Sequence, residues 1–217
     1  MLKRGNTYDE VCESFRWEIP EHYNIGVDIC DRWADQPDRL ALIFENESGQ
    51  VEKYTFADFK RRSNRLANGL KANGIEPGDR FGILLPQCPE TAIGHIAAYK
   101  IGAIAIPLFT LFGTDALEYR LSNSEALGIV TDAANLPKIM EIRQNLPELK
   151  VVIVTRGAKA DRVLDFDDLI EKGSDEFRPL QTRADDPALI IYTSGTTGPP
   201  KGGLQGHRVL LGHLPGW

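Results

Sequence analysis

The fold of this chain is decided by residues 81–107, which read FGILLPQCPETAIGHIAAYKIGAIAIP. Residues 81–85 are a short apolar run that predicts a buried strand. Pro89 is well placed as the first residue of a helix, and we expect that helix to continue to about Ile101. Residues 103–106 are a second short apolar run and predict a second buried strand. Two apolar strands joined by a helix are typical of a parallel sheet.

The same alternation continues downstream of this stretch. Three further apolar runs predict strands, and three amphipathic segments predict helices. The strands are expected at 127–131, 151–154 and 188–192, and the helices at 114–121, 136–146 and 166–170. Thr114 is expected to cap the first of these helices. The segment 157–186 is the most polar, and we expect it to contain a long surface connection.

The chain upstream adds a hairpin and a helix. Residues 40–44 and 51–55 are strand-like runs around a short turn with a glycine, and they predict a β-hairpin. Thr55 followed by Asp58 has the spacing of a helix N-cap, and Gly74 suits the end of that helix. Together, these patterns predict an α/β fold with a mostly parallel sheet, helices on both faces and an N-terminal β-hairpin.

Composition and charge exclude several classes of protein. The chain has 217 residues, of which 42% are hydrophobic and 26% charged, so it is globular rather than disordered. It carries 25 Lys and Arg against 31 Asp and Glu, a net charge of −6, whereas nucleic-acid binders usually have a basic surplus. The apolar segment 93–109 is shorter than the roughly 20 residues that a membrane helix needs. We therefore expect no nucleic-acid partner and no membrane span.

Cysteine usage and the start of the chain bear on the compartment. Cys12, Cys30 and Cys88 are odd in number and scattered, so they predict neither a disulfide framework nor a structural zinc site. Residues 1–6 carry a charged pair with no apolar stretch after it, unlike a signal peptide. These features predict a reducing, cytoplasmic location.

One segment carries residue types that suit a polyphosphate ligand. Residues 190–202 read IIYTSGTTGPPKG, an apolar strand that runs into hydroxyls and glycines and closes with a lysine. Gly195 and Gly198 allow backbone N–H groups to converge on an anion, and Lys201 adds a mobile positive charge. Neutral hydroxyl donors are supplied by Thr193, Ser194, Thr196 and Thr197.

The spacing separates this segment from two other nucleotide motifs. The order Gly195-x-x-Gly198-x-x-Lys201 differs from the GxxxxGK[ST] of a Walker A loop, and the sequence contains no GxGxxG. The location fits a ligand site, because ligands of open α/β sheets bind beyond the carboxyl ends of the strands. On the residues alone, a polar surface loop without a ligand is an equal alternative.

Residues 192–202 closely resemble the phosphate-loop signature of the adenylate-forming superfamily, which includes acyl-CoA synthetases, peptide-synthetase adenylation domains and luciferases. Four upstream blocks are similar to the N-terminal region of that family. They are YTFAD at 54–58, NRLA at 64–67, GIEPGDR at 74–80 and AAYKIGAIAIPL at 97–108. The resemblance covers roughly residues 25 to 210. The acyl-CoA synthetase branch, acting on acetate or a larger acid, is the most similar.

The resemblance implies a two-step ligase that uses ATP, Mg²⁺, a small carboxylic acid and coenzyme A. The acid attacks the α-phosphate of ATP, which gives an acyl-adenylate and pyrophosphate, and the thiol of coenzyme A then displaces AMP. On this analogy, Lys201 assists charge neutralisation. The β- and γ-phosphates would lie against Thr193, Ser194, Gly195, Thr196, Thr197 and Gly198.

Members of that family are much longer, because the adenine pocket, a magnesium-binding glutamate and a small C-terminal domain with a catalytic lysine lie downstream of the loop. We therefore expect residues 1–24 to be an N-terminal extension and residues 25–217 to be a partial N-terminal AMP-binding domain. We expect the isolated chain to bind ATP weakly, to turn nothing over and to self-associate through uncovered strand edges. Two alternatives are a non-enzymatic phosphate-binding module and an inactive structural fragment.

Other polar residues are more simply explained by structure than by chemistry. His95 is expected to pack in an apolar helix. His207 and His213 are expected on a helix after the loop, at a spacing that does not suit a metal pair. The carboxylates at 185–186 predict a turn. Cys88 has no evident base beside it and is not predicted to be a nucleophile.

Overall fold

The computed structural model describes residues 5–157, 160–193 and 198–214. Within these ranges the strands are β1 (Leu40–Glu45), β2 (Val51–Thr55), β3 (Arg80–Leu84), β4 (Ile104–Pro107), β5 (Gly128–Thr131), β6 (Val151–Val154), β7 (Leu164–Asp165), β8 (Pro187–Thr193) and β9 (Lys201–Gly206). The helices are α1 (Tyr8–Ser14), α2 (Ile25–Ile29), α3 (Phe56–Ala72), α4 (Pro89–Ile101), α5 (Thr114–Asn123), α6 (Leu136–Ile142), α7 (Phe166–Lys172) and α8 (Val209–His213).

One sheet in the described ranges has seven strands, in the order β7-β6-β5-β3-β4-β8-β9. The pairs from β7 to β8 are parallel, whereas β9 runs antiparallel to β8. β1 and β2 form a separate antiparallel hairpin. The predicted fold class is therefore confirmed. Because the parallel strands share one direction, the carboxyl ends of β4 and β8 lie at the same edge of the sheet.

Two apolar cores lie on the two faces of this sheet, because successive strand residues point to opposite sides. One core contains Phe81 and Ile83 of β3 and is covered by α3, α4 and α7. The other contains Leu84 of β3 with Val152 of β6 and is covered by α5 and α6. Helices thus cover both faces, as the alternation of apolar runs and helical patterns predicts.

Sequence signals set the ends of the helices around the core. Thr55 Oγ1 accepts the Asp58 N–H at 3.1 Å, and the Asp58 carboxylate accepts the Thr55 N–H at 3.0 Å, so α3 begins with a complete capping box. Gly74 follows α3 with a φ of 85°, a left-handed conformation that suits glycine. Pro89 is the first residue of α4, as predicted.

Three details of the predicted elements are wrong. The N-cap of α5 is Gly113 rather than Thr114. α6 ends at Ile142 and passes into a short 3₁₀ turn, so the regular helix is shorter than residues 136–146. Residues 201–206 form strand β9 where the sequence suggests loop and helix, because their backbone pairs with β8.

Most of the apolar segment 93–109 lies inside the domain. Ile93 of α4 and Ile106 of β4 are completely enclosed, on a helix and a strand that follow each other along the chain. Burial in the core therefore accounts for the hydrophobicity of this segment. In the part of the chain that the structure describes, no helix combines the length and the apolar character needed to cross a bilayer.

Candidate functional site

The phosphate-loop motif lies at the turn of the β8–β9 hairpin. Thr193 ends β8 and lies directly opposite Lys201, which begins β9. Gly198 has a φ of 88°, the left-handed conformation that the motif predicts for a loop glycine. Four residues of the predicted site lie outside the described ranges, and these are Ser194, Gly195, Thr196 and Thr197.

The position of the hairpin in the sheet suits a ligand site. β8 pairs in parallel with β4, so Thr193 lies at the carboxyl edge of the sheet. Thr193 and Lys201 are both exposed, and Lys201 forms no ion pair with any residue in the described ranges. A hydroxyl and an ammonium group are therefore available to one anion at the end of the hairpin.

Contacts from α5 fix the strand that leads into the loop. Tyr192 Oη donates to Asn123 Oδ1 at 2.7 Å and lies 3.2 Å from the Arg120 carbonyl oxygen. The Arg120 guanidinium lies 5.7 Å from the centroid of the Tyr192 ring and 4.0 Å from that of Phe112. Burial raises the pKa of Tyr192, so its hydroxyl remains a donor. The loop therefore starts from a strand that is held by a helix.

A second lysine, which the sequence analysis does not single out, is enclosed in the core. Lys100 Nζ lies 2.6 Å from Asp31 Oδ1 and donates to Ser63 Oγ at 2.9 Å and to Asn64 Oδ1 at 2.7 Å. Burial lowers the pKa of Lys100, and the Asp31 carboxylate opposes that effect. With 0% of its surface exposed, Lys100 joins α4 to α3 within the core. The available signal was a lysine within the apolar run at the end of α4, residues 96–101.

The histidines occupy structural positions. His207 lies between β9 and α8 rather than on a helix; it is fully buried, and its Nδ1 accepts the Ile25 N–H at 3.2 Å. Burial lowers the pKa of both His207 and His95 to about 4, so both are neutral at pH 7. His213 is the last residue of α8. Among the described residues, no group of three or more His, Cys, Asp or Glu could hold a metal ion.

The remaining candidates also stabilise local structure. Cys88 lies at the N-cap position of α4, and burial raises the pKa of its thiol, which disfavours the reactive thiolate. The Asp186 carboxylate accepts the Arg183 N–H at 2.8 Å, and the Asp185 carboxylate pairs with Arg208 at 2.9 Å. Asp186 thus stabilises the turn before β8 that the sequence predicts, and Asp185 joins this turn to the segment after β9.

Two proteins of similar sequence carry the name coenzyme A synthetase. The mitochondrial acyl-coenzyme A synthetase ACSM5 of Homo sapiens is 32% identical over 190 residues, which are 84% of this chain and 33% of that protein. The acetyl-coenzyme A synthetase of Bacillus subtilis (strain 168) is 36% identical over 193 residues, 87% of this chain and 33% of that protein. The chain thus spans about a third of the length of these relatives.

Solved structures agree with this comparison. The crystal structure of Brucella canis acyl-CoA synthetase matches this chain with a TM-score of 0.86 and 29% sequence identity. The match covers 94% of this chain and 39% of the Brucella canis chain. The crystal structure of the anthranilate CoA ligase AuaEII in complex with anthranoyl-AMP matches with a TM-score of 0.85 and 28% sequence identity. That match covers 92% of this chain and 38% of the AuaEII chain. A family model described as AMP-binding enzyme matches residues 30–214. This chain therefore belongs to the AMP-binding enzyme family.

Proposed function

We propose that this chain is the phosphate-binding part of an AMP-forming acid–CoA ligase. The observation that carries the proposal is the pair Thr193 and Lys201, which lie opposite each other at the carboxyl edge of a parallel sheet. A triphosphate at this position could accept a hydrogen bond from the Thr193 hydroxyl and contact the Lys201 ammonium group. The family of the chain and the names of its relatives supply the reaction.

The proposed chemistry has two steps. A carboxylate oxygen of the acid attacks the α-phosphorus of ATP, the bond to the β-phosphate oxygen breaks, and acyl-AMP and pyrophosphate are formed. The thiol of coenzyme A then attacks the acyl carbonyl, loses its proton and releases AMP. Lys201 balances charge on the departing pyrophosphate, and the segment from Thr193 to Gly198 holds the β- and γ-phosphates. The relatives are named for different acids, so we propose a small carboxylic acid as the substrate class.

Magnesium and coenzyme A belong to the proposed whole enzyme. Magnesium bound to the triphosphate spreads the negative charge of the phosphates and aligns them. Because no described cluster of acidic or histidine side chains could hold it, we assign its protein ligand to the part of the relatives that this chain does not span. The residues of this chain then bind and orient the phosphates.

The chain alone should bind ATP weakly and turn nothing over. A charge-assisted hydrogen bond contributes about 1.5–3 kcal/mol, whereas ordering a loop residue costs about 1–2 kcal/mol. Micromolar affinity needs about 8 kcal/mol, which a phosphate loop without a base-binding surface does not supply. We therefore expect a dissociation constant for ATP of roughly millimolar size.

The test joins this chain to the remaining two thirds of the Bacillus subtilis relative and measures acid-dependent pyrophosphate release. We expect release to be restored and to fall about 10- to 100-fold in Lys201→Ala. Lys150→Ala is the matched control. Lys150 is an exposed lysine that directly precedes β6, at the amino ends of the parallel strands and away from the hairpin turn. Phosphate binding without release would indicate a non-enzymatic module, and loss of both would indicate an inactive fragment.

We also infer that the chain self-associates through β9. Within the described ranges β9 is an edge strand of the sheet, and Leu204 on it is 58% exposed. An exposed, unpaired edge invites pairing with a second chain. Sedimentation at tens of micromolar should show a dimer or larger species that Leu204→Lys weakens. A strictly monomeric chain would contradict this inference.

Two further proposals concern domain limits and compartment. We propose that the domain begins at α2 and that residues 1–24 are an extension; in support, no residue of α1 is buried. Deleting residues 1–20 should then leave the melting temperature nearly unchanged.

We propose a reducing, cytoplasmic location, because Cys12, Cys30 and Cys88 are all free thiols. Fractionation of the source cells tests this location.

A further inference from the structure

Tyr119, on α5, contacts both sides of the β8–β9 hairpin next to its turn. Its hydroxyl donates to the Pro200 carbonyl oxygen at 3.0 Å. Its ring packs edge to face against Tyr192, with the ring centroids 6.5 Å apart and the planes at 76°. Tyr192 directly precedes Thr193, and Pro200 directly precedes Lys201. A single side chain therefore holds the neighbours of both proposed phosphate ligands.

The Tyr192 ring that Tyr119 meets is itself fixed. Tyr192 lies opposite Gly202 across the hairpin, and a β-carbon on Gly202 would come within 3.1 Å of Tyr192 Cζ. The glycine thus lets the ring lie against β9. At its far end, the Tyr192 hydroxyl is bonded to Asn123. Because the ring has little room to shift, the contact with Tyr119 transmits the position of α5 to β8.

We propose that Tyr119 is a positioning residue for Thr193 and Lys201, an inference that rests on the proposed function. The Pro200 carbonyl belongs to the peptide unit that carries the Lys201 N–H, so the Tyr119 hydroxyl sets the orientation of that unit. The orientation of this peptide unit in turn sets the direction in which the Lys201 side chain projects from the hairpin. A triphosphate can contact Thr193 and Lys201 together only when the distance between these two residues is maintained. Tyr119 of α5 maintains this distance without touching the phosphates itself.

The test is Tyr119→Phe in the full 217-residue chain, which removes the hydroxyl and keeps the ring. ATP is titrated by NMR, and the melting temperature is measured in parallel. We expect the dissociation constant for ATP to rise roughly three- to tenfold, with the melting temperature changed by only a few degrees. The ¹⁵N resonance of the Lys201 amide should move, because it shares a peptide unit with the carbonyl that loses its donor.

Tyr54→Phe is the matched control, because the Tyr54 hydroxyl bonds to Glu52 on β2, away from the hairpin. It should leave the ATP affinity and the Lys201 amide resonance unchanged. An unchanged ATP affinity in Tyr119→Phe, with or without a lower melting temperature, would overturn the inference. If Tyr119→Phe does not fold, Asn123→Ala serves instead, because it removes the shorter of the two hydrogen bonds of the Tyr192 hydroxyl and should also weaken ATP binding.

The outcomes separate this inference from the proposed function. An unaltered chain that binds no ATP contradicts the proposed function and the inference together. An unaltered chain that binds ATP, beside a Tyr119→Phe chain that binds it equally well, contradicts the inference alone. A rise in the dissociation constant confined to Tyr119→Phe and Asn123→Ala supports both.

Discussion

Lys100 and Lys201 are the same residue type in two contrasting regions of one sheet-and-helix domain. Lys100 is completely enclosed and is satisfied by Asp31, Ser63 and Asn64, a group that we call the Lys100 cluster. Lys201 is exposed beside the turn of the hairpin and pairs with no acidic side chain in the described ranges.

The difference shows how surroundings decide what a lysine does. Burial disfavours the charged form of Lys100, and three polar neighbours are needed to keep that charge in the core. All of its hydrogen-bonding capacity is then used inside the protein. The exposed ammonium group of Lys201 stays hydrated and keeps its hydrogen-bond donors for a ligand, so an anion can bind to it. The first lysine stabilises the fold, and the second is available for binding.

The largest expected effect comes from breaking the Lys100 cluster. Lys100→Met leaves the Asp31 carboxylate largely buried without its counter-ion. We expect the free energy of unfolding to fall by about 3–5 kcal/mol, as measured by urea denaturation. Replacing Asp31 by Leu in the same chain should recover part of the loss, since no uncompensated charge then remains.

The matched control is Lys201→Met, an exposed lysine on an edge strand. It should change the free energy of unfolding by no more than about 0.5 kcal/mol. Equal effects of the two substitutions would show that the contrast between the buried and exposed lysine does not hold.

A second effect, of about 2–3 kcal/mol, is expected from pH at the base of the hairpin. Burial lowers the pKa of His207 from about 6.5 in the unfolded chain to about 4 in the folded one. Between these values the unfolded state binds more protons, so stability is complete above pH 6.5 and falls as the pH drops towards 4. Urea denaturation at pH 4.5, 5.5 and 7 measures this loss.

His207→Gln should make that pH dependence shallower, because Gln can still accept the Ile25 N–H and does not titrate. His95 has a similarly lowered pKa and should account for part of the remaining slope. His213→Gln is the control, since His213 is exposed at the end of α8. A slope that His207→Gln leaves intact would exclude a role for this histidine.

The smallest effect, of about 0.5–2 kcal/mol, concerns the helix that carries part of the Lys100 cluster. Thr55→Ala removes the side-chain acceptor from the capping box of α3 and should destabilise the domain by that amount. Thr7 caps α1 in the same way, but α1 buries no residue, so Thr7→Ala should leave global unfolding unchanged. Equal losses in the two variants would mean that α1 is part of the cooperative domain.

Local signals in the sequence were sufficient for most of the fold. The Thr55–Asp58 pair and Pro89 mark helix starts through backbone bonds that each segment makes by itself. Strand β9 was missed because Gly202 and Gly203 have low strand propensity, and only pairing with β8 makes the segment extended. The prediction that His207 lies on a helix is wrong because pairing with β8 keeps the chain extended up to Gly206, so that α8 begins only at Val209.

The candidate site was predictable in part. The motif placed Thr193 and Lys201 in one loop, but the sequence could not show that they lie opposite each other, which depends on the register of β8 and β9. The support from Tyr119 could not be foreseen, because it joins residues 81 positions apart. The Lys100 cluster was missed because its members come from separate elements that only the folded chain brings together.

The most direct measurement is a ¹H–¹⁵N NMR titration of the chain with ATP, in the unaltered protein and in Lys201→Ala. The account predicts that the largest shifts fall in residues 193–202, that amides around Lys100 stay in place, and that Lys201→Ala weakens binding at least about tenfold. Chemical-shift changes centred on other residues, or equal ATP affinity in the two proteins, would contradict the claim that this hairpin binds a triphosphate.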